Sequence, residues 1–223
     1  MNIKLLDPFV MMPATDHAYS HTPPSGWEID SLGVLTQSAR LDAGRIGGGR
    51  ILRPEETPEL AKLRFGLLSK LPLPVRTVLG IGFDHGHFLR LCAQYSLTPF
   101  SSYSMPGAEI ESTDHFGGNV DLVVLFDSLT RFEDLTFLRD VVAKQVIVSV
   151  PWLPSFDEKA LARWRHWLPG EHLRQFNPLS LRAFMDSLGF VELGHGCPED
   201  VLRKGNGKQP NILTASFVSL DYR

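Results

Sequence analysis

"VLGIGFDHGHFLRLC", residues 78–92, holds two spacings that point to different chemistry: His85-x-His87 and Gly82-x-x-x-Gly86. Histidines two apart on extended backbone can reach one ion, with Asp84 as an oxygen ligand beside them. The remaining histidines, His17, His21, His115, His166, His172 and His195, form no second pair, so no metal is expected. The glycines use the same residues better. "TVLGIG" reads as a strand turning at Gly82 and Gly86 into a helix that starts near His87, with Phe88, Leu89, Leu91, Cys92 and Tyr95 at helical spacing. Glycine at such a turn lets a ligand approach the backbone, and the helix start offers free N–H groups to an anion.

The flanking sequence repeats this grammar. "VDLVVLF" (120–126) and "QVIVSVP" (145–151) are continuous apolar runs of the kind found in strands buried on both faces. Between them "EDLTFLRDVVA" predicts a helix with Leu135, Leu138, Val141 and Val142 on one face. "SLRAFMDSLGF" predicts another, with Ser180 as N-cap and Gly189 as its stop. "FVELGHG" and "NILTASFVSL" then suit an antiparallel pair. The expected fold is α/β: a Rossmann-like, mainly parallel sheet flanked by helices, with an antiparallel C-terminal strand pair.

Residues 1–70 read differently. Pro and Gly are scattered through them, and only "TPELAKLRFGLLSKL" is clearly helical, with Thr57 as N-cap and Pro58 in the first turn. The division expected is an N-terminal arm or lid, 1–70, on an α/β domain, 71–223. "IGGGR" (46–50) lacks the Lys-Ser/Thr ending of a phosphate loop and reads as a turn.

Bulk properties exclude several classes. The chain has 223 residues, 43% hydrophobic, enough for a full core. Its 22 basic and 25 acidic residues give a net charge of -3 without a long run of either sign, which argues against a large nucleic-acid surface. Two cysteines suit a reduced compartment better than a disulfide framework. The start, "MNIKLLDPFVMMPATDH", is a poor signal peptide, and no segment approaches the roughly 20 apolar residues of a membrane span, so a cytoplasmic protein is expected.

From residue 71 onward the sequence resembles the class I S-adenosylmethionine-dependent methyltransferases, in particular small single-domain members. "VLGIGFDHGHFL" is similar to their "VLDIGxGxGxFL", "VDLVVLFDSLTRFEDLTFLRDV" to "fDvVxxfdvLEHlxdpxxfLxxl", and "VIVSVPWLP" to "vxiSvPn". "RHWLPGEHLRQFNPLSLRAFMDSLGF" resembles "HxxpgEHlxxFxxxsLxxlxxxxGF", and "EDVLRKGNGKQPNILTASF" is similar to the tail of phage and metagenomic members. The resemblance implies S-adenosylmethionine as cofactor, lying along Gly80, Gly82, Asp84, Gly86, Ser102, Tyr103, Ser104, Phe126, Asp127 and Ser128. It implies a small-molecule, sugar or other polar acceptor.

The resemblance also places His166, Glu171 and His172 on the acceptor side. A histidine there could take a proton as the methyl moves, with His172 the better match, or Glu171 and His172 could orient the loop. Trp152, Trp164 and Trp167 flank the segment as a candidate apolar wall. Cys197 has no evident activating base. The sequence departs from the family pattern at Gly80 and Asp84, where an acidic residue and a glycine are usual. Serines stand where an acidic residue ends the second strand, and Leu129-Thr130-Arg131 replaces Leu-Glu-His. These departures motivate a second reading, a methyltransferase-like scaffold serving as a structural or partner-binding module.

Overall fold

The computed structural model describes residues 23–38, 56–82, 85–102, 119–132, 135–203 and 210–222. Two short strands come first, β1 (Trp27–Ile29) and β2 (Leu35–Gln37), then helix α1 (Pro58–Leu67). Strand β3 (Thr77–Ile81), helix α2 (Gly86–Gln94) and strand β4 (Thr98–Ser102) follow, then β5 (Val120–Phe126) and β6 (Ala143–Pro151). Helix α3 (Glu158–Arg163), the two-residue β7 (Arg174–Gln175), helix α4 (Pro178–Ser187), β8 (Phe190–Gly196) and β9 (Ile212–Ser219) complete the order.

Six strands form the main sheet in the order β4-β3-β5-β6-β9-β8. The β3–β4, β3–β5 and β5–β6 pairs are parallel, while β9 runs antiparallel to both β6 and β8. This is the Rossmann-like sheet with an antiparallel C-terminal pair. Because side chains alternate across a strand, β5 feeds two cores. Val123 and Leu125 pack with Leu181 and Met185 of α4. Leu122, Val124 and Phe126 pack with Ala61 and Leu67 of α1 and Phe88 and Cys92 of α2. Both faces of β5 are covered, which is why all seven of its residues are buried and why its sequence shows no alternation.

Local signals explain the helix ends. Thr57 caps α1 by accepting the Leu60 N–H at 3.2 Å, with Pro58 in the first turn. In α4 the cap is Asn177 rather than Ser180. The Asn177 side chain accepts the Ser180 N–H (2.8 Å) while the Ser180 hydroxyl accepts the Asn177 N–H (3.0 Å), a reciprocal capping box that puts Ser180 in the third helical position. Gly189 ends α4 with φ +84.

The helix expected over 133–143 is reduced to a 3₁₀ turn, Thr136–Arg139. Val141 and Val142 are β-branched, and the Val142 carbonyl accepts the Val120 N–H at 3.0 Å, which draws the chain into β6 at once.

A second sheet, β1-β2-β7, is fully antiparallel. It joins residues before α1 to a segment after α3, so it crosses the division at residue 70. Trp27 and Leu35 of this sheet pack against Leu153, Phe156 and Leu161. Among the described residues no helix is long and apolar enough to cross a membrane. The "IGGGR" turn lies outside the described residues.

Candidate functional site

From β3 the chain goes to β4 on one side and later crosses to β5 on the other. That reversal opens the crevice beyond the carboxyl ends of β3 and β5 where open α/β sheets bind ligands. Gly80, Gly82, Gly86, Phe126, Asp127 and Ser128 all lie here. Ser102 ends β4, in register with Ile81. Asp84, Tyr103 and Ser104 lie outside the described residues.

Two glycines have a packing reason of their own. Gly82 has φ +104, and a Cβ on it would stand 2.2 Å from the Ser128 Cβ. The Ser128 hydroxyl donates to the Ile81 carbonyl at 2.8 Å, fixing β3 against the end of β5. At Gly80 a Cβ would meet the His85 ring at 2.7 Å. That ring is buried, donates through Nε2 to the same Ile81 carbonyl at 3.1 Å, and stands edge-on to Phe126. His85 thus fills the room that the missing Gly80 side chain leaves. His87 instead receives a bond at Nδ1 from Arg90, so the two rings of the His-x-His pair serve different neighbours. Among the described residues no group of three or more His, Cys, Asp or Glu could hold a metal ion.

A buried charge cluster occupies the end of β5. Arg64 of α1, 2% exposed, donates to Asp127 (2.7 Å), Glu199 (2.8 and 3.0 Å) and Glu56 (3.3 Å), with its guanidinium 4.3 Å from the Phe126 ring centre. Arg203 donates to Asp127 and Glu199, each at 2.8 Å. Glu56 accepts the Phe88 N–H at 2.9 Å, so a carboxylate of the chain sits at the N-terminus of α2. Burial alone would push the Asp127 carboxyl up, but the guanidiniums of Arg203 and Arg64 hold it well below the usual carboxylate range. Asp127 also has φ +57, a left-handed conformation that aims its side chain between the two arginines.

The network continues to the acceptor-side histidines. The Asn211 side chain donates to the Arg203 carbonyl, and His166 Nε2 donates to Asn211 Oδ1 at 2.7 Å. His172 donates through Nδ1 to the His166 carbonyl at 3.0 Å. Burial lowers both imidazoles to about 4, helped for His172 by the charge of Arg131. Glu171 accepts from Arg131 at 3.2 Å. It therefore ties its loop to the segment after β5.

The tryptophans separate. Trp164 and Trp167 pack on the cluster around Trp27, whose ring centre lies 4.5 Å from that of Trp167. Trp152 packs on the main core and faces His195 edge-on. Burial pushes the Cys197 thiol up to about 12, so it is no nucleophile at neutral pH.

Glu56, Arg64, Glu199, Arg203 and Asn211 were not singled out from sequence. Arg64 carried a signal: it lies on the stripe Leu60, Ala61, Arg64, Leu67 that α1 buries. A charge on an apolar helical stripe needs buried partners.

Solved structures place this architecture. The 1,6-didemethyltoxoflavin-N1-methyltransferase of Burkholderia thailandensis, crystallised with 1,6-didemethyltoxoflavin and S-adenosylhomocysteine, aligns over 86% of this chain and 97% of its own, at TM-score 0.54 and 15% identity. The chain has a class I methyltransferase fold. Two other methyltransferases, from Archaeoglobus fulgidus (73% of this chain, 95% of that one, 15% identity, TM-score 0.49) and the magnesium protoporphyrin IX methyltransferase of Synechocystis PCC 6803 (73% and 82%, 15%, 0.48), align less closely. Neither a protein-family model nor a curated protein sequence matches the chain. The methyltransferase fold explains why the glycine turn, the start of α2 and the end of β5 converge at one crevice.

Proposed function

We propose that the protein is a cytoplasmic methyltransferase that moves a methyl group from S-adenosylmethionine to a small polar acceptor. The observation that carries this reading is the set of opposite charges at the switch point of a methyltransferase fold. S-adenosylmethionine carries a carboxylate, an ammonium and a sulfonium. Arg64 and Arg203 match the first, and Glu56, Asp127 and Glu199 match the other two, so the donor set fits the group. When bound, the cofactor supplies an electrophilic methyl. In this reading Gly80, Gly82, Asp84, Gly86, Ser102 to Ser104 and Phe126 to Ser128 border it, and internal ion pairs of the cluster exchange for pairs with the ligand.

On the acceptor side, His166 and His172 are neutral at pH 7 and weakly basic, which suits taking a proton from a nitrogen made acidic by methylation. Glu171, tied to Arg131, positions their loop. Residues 1–70 serve as an arm and lid over the domain of 71–223. The 1,6-didemethyltoxoflavin bound by the Burkholderia methyltransferase supports an acceptor of small-molecule size.

A competing reading, a scaffold without cofactor, is favoured by two observations: Glu56 already holds the Phe88 N–H, and His85 fills the space over Gly80. Titration calorimetry with S-adenosylhomocysteine separates the two. Methyl transfer requires saturable heat and a raised melting temperature; no heat and no thermal shift at millimolar ligand leave the scaffold.

A further inference from the structure

Helices α1, α3 and α4 are each capped by the side chain that precedes them: Thr57, Asp157 and Asn177. Helix α2 has no such cap. The His85 side chain at its start bonds the Ile81 carbonyl instead, and its first turn holds no acidic residue. The N–H of Phe88, in the third position of the helix, is taken by the Glu56 carboxylate at 2.9 Å, from 32 positions upstream. The start of α2, where free N–H groups favour an anion, is therefore filled by a carboxylate brought from elsewhere in the chain.

Glu56 is buried, and its other oxygen accepts from Arg64 at 3.3 Å. Arg64 belongs to α1, the helix that begins just after Glu56, and donates to Asp127 at the end of β5 and to Glu199. Glu56 and α1 together fasten the start of α2 to the end of β5 across the crevice. In this cluster three carboxylates, Glu56, Asp127 and Glu199, face two guanidiniums, Arg64 and Arg203. The ion pair of Glu56 is the longest of the set, at 3.3 Å against 2.7–2.8 Å for the others. Glu56 is thus the surplus acid, the one whose departure leaves the remaining charges balanced.

We propose that Glu56 is an autoinhibitory latch: its carboxylate holds the place of the cofactor's own carboxylate at the start of α2, and the cofactor binds by displacing it. This inference deepens the methyl-transfer reading and rests on it. One N–H cannot serve two carboxylates, so affinity for the cofactor is reduced by the fraction of molecules in which Glu56 is seated. Release of Glu56 leaves Asp127 and Glu199 paired with Arg64 and Arg203, so opening strands no buried charge in the cluster.

The test is titration calorimetry of the full chain with S-adenosylhomocysteine and with 5′-methylthioadenosine, which lacks the carboxylate and the ammonium. Glu56→Gln should bind S-adenosylhomocysteine at least roughly tenfold more tightly than wild type, the scale of one charge-assisted hydrogen bond. Its affinity for 5′-methylthioadenosine should not rise. If Glu56→Gln does not fold, Glu56→Asp carries the same readings, since it keeps the charge but is one methylene too short to span Phe88 and Arg64. Asn177→Ala, which loosens α4 instead, should bind both ligands as wild type does. Equal or weaker S-adenosylhomocysteine binding in the Glu56 variant, a matching gain for 5′-methylthioadenosine, or the same gain in Asn177→Ala overturns the latch and leaves methyl transfer standing. No heat with S-adenosylhomocysteine from wild type or any variant overturns the methyl-transfer reading, and the latch with it.

Discussion

Gly82 shows how one residue can carry a motif for a reason the motif does not state. In the sequence it belongs to a glycine turn fit for a ligand, and at the end of β3 it is also the point where Ser128 crosses the backbone. Its φ of +104 and the 2.2 Å approach of Ser128 make any side chain costly. Gly82→Ala should therefore lower stability by about 2 kcal/mol or more in urea unfolding, from the left-handed backbone and the overpacking together. Adding Ser128→Gly should return the packing part only. An unchanged unfolding midpoint in Gly82→Ala would mean that the turn relaxes freely. The serine was legible as a neighbour in sequence to Asp127, but its contact with Gly82 spans 46 positions and has no local signature.

At the scale of elements, legibility followed the strength of the period. The largely apolar β5 and β6 and the helix α1, with its Thr-Pro start, could be read because each carries several residues of consistent pattern. Strands of two or three residues, β1, β2 and β7, carry no period at all. The 133–143 segment had helical spacing but lost to the demands of the adjoining strand. Its outcome shows tertiary pairing overriding propensity. In α4 the expected cap, Ser180, gives way to Asn177, and the geometry assigns the two residues reciprocal roles. Asn177→Ala should cost about 1 kcal/mol in thermal or urea unfolding. Ser180→Ala should cost a similar amount, and the double variant less than the sum, since both break one box. Strict additivity would show two independent caps instead.

Across the whole molecule, a polar chain runs from the start of α2 through Glu56, Arg64, Asp127, Arg203 and Asn211 to His166 and His172. Its pH dependence follows from the shifts. Both histidines fall from an ordinary value near 6.5 to about 4 on folding, so between those values the unfolded chain binds more protons. Their contribution is full above about pH 6.5 and is lost as pH falls toward 4. Asp127, held low by its arginines, adds a further loss below the usual carboxylate range. The melting temperature should thus drop between about pH 7 and about pH 4, and His166→Gln or His172→Gln should flatten the drop. An equal slope in both variants would place the proton uptake elsewhere.

By itself the sequence determined strands β3, β5, β6, β8 and β9 and helices α1, α2 and α4, because burial on both faces and helical periodicity are local patterns that one chain segment can display. It also determined which crevice to examine, because a strand, a glycine turn and a helix start are contiguous. Only the tertiary structure decided what stands in that crevice. Arg64 meets Glu199 across 135 positions, and Gln175 meets Leu35 across the small sheet. Charge and hydrogen-bond partners are chosen by distance in space, and that distance exists only once the layers have packed.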